Sequence, residues 1–176
     1  MITAITGNLL DATEKYIVHQ CNCVTKQGGG LAKYLFDKFP FADVYITRTD
    51  EDCDVATLRD KPGTITISGN GKDERYVVNL MGQLYPGGFW DDMQEDSEER
   101  RHKFFHRGLV NLAKVPNLNS VAFPAGIGCG LAGGDWEWYL GTIKNFAKHI
   151  YESQGALTSI YCLPSDLSKY ESTLTF

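Results

Sequence analysis

The chain has 176 residues, of which 43% are hydrophobic and 22% charged, and a net charge of -5. That is the size of one ordinary globular domain with enough apolar material for a core, and its acidic balance excludes the broad, salt-driven surface that a nucleic acid selects. No apolar run approaches the roughly 20 residues of a membrane helix, and Met1 leads into a strand-like stretch with no signal-peptide pattern; the expectation is a soluble, cytoplasmic, monomeric protein, with a nuclear site open in a eukaryotic or viral setting.

Taken in order, Ile2 to Thr6 reads as a strand that turns out at Gly7-Asn8-Leu9-Leu10. Tyr16 to Cys21 is a buried strand, followed by Gly28-Gly29-Gly30 and a helix from Leu31 to about Phe39, where Pro40 interrupts. Phe41 to Arg48 is expected as a second short helix, and the acidic stretch Asp50 to Asp54 as a solvated surface. Thr64 to Ser68 alternates as a strand, Gly69-Asn70-Gly71-Lys72 makes a hairpin turn, and Arg75 to Leu80 returns. Met81 to Asp92 is expected as a loop whose aromatics, Tyr85, Phe89 and Trp90, either cover a ligand or plug the end of the sheet.

Asp96, with Glu99 three residues on, is expected to cap a helix whose stripe is Phe105, Leu109 and Leu112. Ser120 to Phe123 forms a strand, and Trp136, Leu140, Ile143, Phe146 and Ile150 mark the apolar face of a long helix. Leu157 to Leu163 is the last strand, and Pro164 begins a polar tail. The order β-β-α-β-β-α-β-α-β implies one domain over residues 1–176, a three-layer α/β/α sandwich with a mixed β-sheet.

Between the strand ending at Phe123 and the long helix beginning at Trp136, the stretch from Phe123 to Trp136 carries glycines at 126, 128, 130, 133 and 134. Glycine admits positive φ and close approach, so backbone N–H groups can turn toward an anion while the following helix adds its dipole. A tight connection would also be glycine-rich, but Gly28 to Gly30 repeats the arrangement between a buried strand and a helix. Two such cradles fit two phosphates, or a diphosphate with sugars. The five cysteines, at 21, 23, 53, 129 and 162, form no zinc spacing or disulfide framework. His102 and His106 stand at i and i+4 without an acidic zincin signature, so no metal is expected.

The loops resemble those of a macrodomain, the module that binds ADP-ribose. The resemblance runs from Ile2 to about Leu163 and rests on Ile2-Thr3 before Gly7-Asn8-x-Leu10, on His19-x-Cys21-Asn22-Cys23 before Gly28-Gly29-Gly30-x-Ala32, and on Pro124 through the glycines to Trp136. The pattern is most similar to yeast-type ADP-ribose 1″-phosphate phosphatases and related phage and viral proteins. By position, the resemblance implies that Asn8, with Leu9 beside it, meets the adenine, and that Asn22 meets the distal ribose. It further implies that Gly28, Gly29, Gly30 and Leu31, with Gly126, Gly128, Cys129, Gly130 and Leu131, hold the phosphates through backbone N–H groups, with no metal or cofactor. Asn8 stands where most macrodomains carry aspartate, and its amide oxygen can still accept a hydrogen bond.

The branch that contains the terminal ADP-ribose protein glycohydrolase is similar at Gly-Cys-Gly-Leu, but its catalytic lysine and aspartate positions hold Leu80 or Met81 and Ala132 here. Another hydrolase branch has an aspartate where Ala32 stands. What remains near both cradles is His19, which titrates near neutral pH, and Asp135, which is also placed to cap the long helix. Cys129 as a nucleophile lacks an identifiable histidine partner. The resemblance therefore implies an enzyme converting ADP-ribose 1″-phosphate to ADP-ribose and phosphate, with His19 and Asp135 as catalytic candidates. The alternatives are an ADP-ribosyl ester hydrolase acting on ADP-ribosylated macromolecules and a reader that binds without turnover. A Rossmann-like nucleotide enzyme does not fit, because the glycine spacing misses the dinucleotide fingerprint.

Overall fold

In the computed structural model, residues 1–48, 60–89, 92 and 94–176 are described. The acidic stretch Asp50 to Asp54, with Cys53, and Trp90 lie outside the described residues.

Six strands form one sheet: β1 (Ile2–Thr6), β2 (Tyr16–Asn22), β3 (Ile65–Ser68), β4 (Tyr76–Gln83), β5 (Ser120–Pro124) and β6 (Leu157–Cys162), in the order β1-β6-β5-β2-β4-β3. Every pairing is parallel except β3 with β4, which is the expected hairpin. The helices are α1 (Leu31–Lys38), α2 (Glu98–Ala113), α3 (Trp136–Gln154) and the short α4 (Leu167–Tyr170).

Period-two alternation divides the core. Tyr16 and Val18 of β2 join Leu80, Phe105, Leu109, Phe123, Ile143 and Ile150 on the face covered by α2 and α3. Ile17 and Cys21 join Val77, Met81, Leu35, Phe36 and Tyr45 on the face covered by α1. A sheet so covered needs apolar residues on both sides of its central strands, which explains why β2 and β4 read as nearly continuous buried runs.

Several expectations change. The span from Phe41 to Arg48 is not a helix; a 3-10 turn over Pro40–Ala42 ends the helical geometry, since Pro40 removes a donor and fixes its own φ. β4 continues to Gln83, so the loop begins three residues later than expected. Ser97, rather than Asp96, caps α2 by accepting from Arg100 N–H, which frees Asp96 for another role. The tail after Leu163 packs back: Tyr170 is buried, and Trp136 Nε1 donates to Thr173 Oγ1 at 2.9 Å. Among the described residues, no helix is long and apolar enough to cross a membrane.

Candidate functional site

β2 and β5 are neighbours at the centre of the sheet, with Tyr16 opposite Val121 and Ile17 opposite Ala122. Because they run parallel, their carboxyl ends point the same way, and the loops leaving Asn22 and Pro124 emerge side by side. Between them opens a cleft of about 700 Å³. Gly28 to Ala32 line one wall, Pro124 to Gly128 with Gly130 to Ala132 the other, and His19, Gln20, Asn22 and Gln83 the end where the strands stop. Among the described residues, none that lines the cleft is an aspartate, glutamate, lysine or arginine.

The walls are made of backbone. Gly30 is the N-cap of α1 at φ 53° and supplies no side-chain cap, so the first N–H groups of the helix have no intrahelical partner. Across the cleft, Gly126 and Gly128 have φ 71° and 75°. A Cβ at Gly126 would overlap the Tyr170 hydroxyl, and one at Gly128 would overlap the Tyr139 ring, so conformation and packing both require glycine. The N–H groups of Gly128, Gly130 and Leu131 find no acceptor among the described residues. The Leu131 side chain reaches over the first loop, its Cδ1 within van der Waals range of any Cβ built on Gly29 or Gly30. Such converging donors in a nest and at a helix N-terminus suit an anion.

His19 is 1% exposed, and its Nε2 lies 2.6 Å from Asn79 Oδ1. Asn79 Nδ2 donates to Ala42 O at 3.2 Å, which turns Oδ1 toward the imidazole and places the histidine proton on Nε2. Burial pushes His19 down to about 4, against the smaller upward pull of the Asn79 bond, so the ring is neutral at pH 7 with Nδ1 unprotonated. Asn22 also faces the cleft, but its Oδ1 accepts from the N–H groups of Val24 and Thr25 at 3.0 and 2.8 Å, holding its own loop in an Asx turn.

Four expected residues stand elsewhere. Asn8 is exposed outside the cleft lining, with Oδ1 accepting from Leu10 N–H at 3.0 Å, and Leu9 is buried in the core beneath α1. The N–H of Cys129 is consumed by Gly126 O at 2.9 Å, its thiol donates to Ile127 O, and burial, aided by Asp135, pushes it up to about 12. It is therefore neither a phosphate donor nor a nucleophile in waiting. Asp135 is exposed, does not line the cleft, and caps α3 by accepting from Glu137 N–H at 3.0 Å.

Sequence reasoning missed an amide chain at the closed end: Gln20 Nε2 donates to Gln83 Oε1 at 2.8 Å, and Gln83 Nε2 donates to Tyr85 O at 2.7 Å. Strand β4 read to its true end would have placed Gln83 beside the carboxyl end of β2. Tyr45, whose hydroxyl accepts from Asn22 N–H at 2.9 Å, was also missed, because nothing local links positions 22 and 45.

A family model described as Macro domain matches residues 18–140. Among solved structures, the macrodomain of Mycobacterium tuberculosis DarG is similar at a TM-score of 0.64 and 22% identity, over 92% of this chain and 97% of that one. A mutant Oceanobacillus iheyensis macrodomain solved with ADPR aligns at 0.63 and 20%, over 97% and 90% respectively. A Trypanosoma brucei macrodomain in complex with ADP-ribose aligns at 0.62 and 19%, over 99% and 69%. No curated protein sequence matches the chain.

Proposed function

The chain belongs to the macrodomain family, and from that premise we propose that its cleft binds ADP-ribose and turns over ADP-ribose 1″-phosphate. The observation that carries the reading is the pair of adjacent loops offering uncommitted N–H groups to a cleft that, among the described residues, no charged side chain lines. A diphosphate would be held there by oriented dipoles, and a further terminal phosphate would find the same kind of donor. Two solved relatives carry ADPR or ADP-ribose, in agreement with this ligand class.

In the turnover step, water attacks the terminal phosphorus, the P–O1″ bond breaks, and ADP-ribose leaves as O1″ takes up a proton. Among the described residues, His19 is the one imidazole lining the cleft, and its unprotonated Nδ1, 3.8 Å from Cys21 Sγ, would accept the proton from water and pass it on. Backbone donors would stabilise the charge that grows on the phosphoryl oxygens. Asp135 would serve this chemistry only through α3, as its cap.

A second reading, binding without turnover, draws on the weak basicity of His19 and the commitment of its Nε2 to Asn79. Hydrolysis of ADP-ribosyl esters would use the same cleft. Phosphorus NMR of ADP-ribose 1″-phosphate with substoichiometric protein separates them. Inorganic phosphate released over many turnovers, and lost in His19→Gln, is the expected result. Broadened diphosphate signals without release would leave a reader or an esterase, and unchanged signals would remove ADP-ribose as the ligand.

A further inference from the structure

α2 contributes no residue to the cleft lining, yet one of its side chains holds two parts of the cleft at once. Arg101 is 2% exposed. Its Nη1 donates to Gly87 O at 2.8 Å and to Ala132 O at 3.1 Å, and both residues line the cleft from different loops. Its Nη2 donates to Asp96 Oδ2 at 2.6 Å and reaches Gly88 O and Tyr85 O at 3.3 and 3.4 Å. Asp96, 0% exposed, accepts in turn from Leu84 N–H at 2.7 Å and Tyr85 N–H at 2.9 Å. The charge of each partner is thus neutralised by the other, and the remaining donors and acceptors end on the backbone of the two loops, apart from the buried Arg101 Nε, which meets no hydrogen-bond partner among the described residues.

We propose that Arg101, held by Asp96, is a positioning residue that locks the Tyr85–Gly88 rim to the Gly126–Ala132 loop, so that α2 sets the width of the cleft. The planar guanidinium is what makes this possible, since one fork addresses carbonyls on two segments and a carboxylate together, and a lysine ammonium presents no such spread. The N–H groups of Gly130 and Leu131 belong to residues two and one before Ala132, whose carbonyl Arg101 grips, so their direction depends on the clamp. The consequence for ligand binding rests on the ADP-ribose reading; the clamp itself does not.

Two variants test it: Arg101→Lys, and the paired Asp96→Asn/Arg101→Met, which leaves no buried charge without a partner and keeps the question open if the lysine variant fails to fold. Leu109→Ala, in the core on the same helix, is the control for general destabilisation. Amide hydrogen exchange on the free proteins is expected to speed up about tenfold at Tyr85 and at Gly133 and Gly134 in the clamp variants, and not selectively there in the control. In calorimetry, ADP-ribose affinity is expected to fall about tenfold in the clamp variants and less than threefold in the control.

Unchanged exchange at either loop would overturn the clamp. Wild-type binding matched by equal binding in both clamp variants would overturn its role in the cleft while leaving the ligand reading intact. Wild-type protein that binds no ADP-ribose, with the exchange pattern as expected, would sink the ligand reading and leave the clamp standing.

Discussion

His19 and Asn79 face each other across the parallel pairing of β2 and β4, joined Nε2 to Oδ1 at 2.6 Å and both almost fully buried. Burial lowers the histidine from 6.5 to about 4, so on acidification the unfolded chain takes up this proton before the folded one does. Stability from this group is therefore full above pH 6.5 and is lost as pH falls toward 4, by at most about 3 kcal/mol. Denaturant unfolding at pH 7 and pH 4.5 should show a drop in wild type that shrinks in His19→Gln, which cannot titrate. If His19 is the general base, phosphate release should be flat from pH 5 to 9 and fall only near pH 4.

The glycines of the second loop should separate by substitution. Gly126→Ala meets both positive φ and the Tyr170 hydroxyl, and is expected to cost about 2–4 kcal/mol. Gly130→Ala meets nothing within 4 Å, so thermal unfolding should change little. A loss of ADP-ribose affinity in Gly130→Ala without a loss of stability would place ligand against that backbone; unchanged affinity would move the ligand elsewhere in the cleft.

Asp135→Ala is expected to remove about 1 kcal/mol of stability through the α3 cap. Asp135→Ser, which can still accept from Glu137 N–H, should recover most of it. Turnover that collapses in both variants would give the carboxylate a direct chemical part, contrary to its exposed place outside the cleft.

Deleting one member of the buried pair, as in Asp96→Ala, leaves Arg101 charged without a counterion and the Leu84 and Tyr85 N–H groups without an acceptor. The expected loss is about 3–5 kcal/mol by chemical denaturation. The paired Asp96→Asn/Arg101→Met variant should lose markedly less, because no isolated charge remains; an equal loss would show that packing rather than charge dominates this site.

At the C-terminal end, Tyr170 is buried against Gly126, which ties the tail to the loop. Tyr170→Ala is expected to cost about 3 kcal/mol and to weaken ADP-ribose binding. Tyr170→Phe, which keeps the ring, should retain both. Urea unfolding alongside calorimetry would check the pair.

Local patterning determined much of this molecule. The apolar runs at Tyr16 to Cys21 and Arg75 to Leu80, the Asn70-Gly71 turn, and the stripe from Trp136 to Ile150 each carry their own periodicity or turn chemistry, so the element order was legible without long-range information. The two glycine loops were legible for a similar reason, since clustered glycines mark backbone that takes positive φ or is closely approached, as at Gly30, Gly126 and Gly128. What the tertiary structure decided concerns partners far apart in the chain. Pairing β2 with β5 brings the loops that follow Asn22 and Pro124 to the same end of the sheet and turns two separate loops into one cleft. Packing withdraws groups that local reading offered to the site: Cys129 spends its N–H inside the loop, Asn8 bonds Leu10, and Asp135 caps a helix. It also recruits Asp96 and Arg101, whose local pattern reads as a helix start, because a buried carboxylate and guanidinium must satisfy each other and the nearest backbone, and the nearest backbone here is the rim of the cleft.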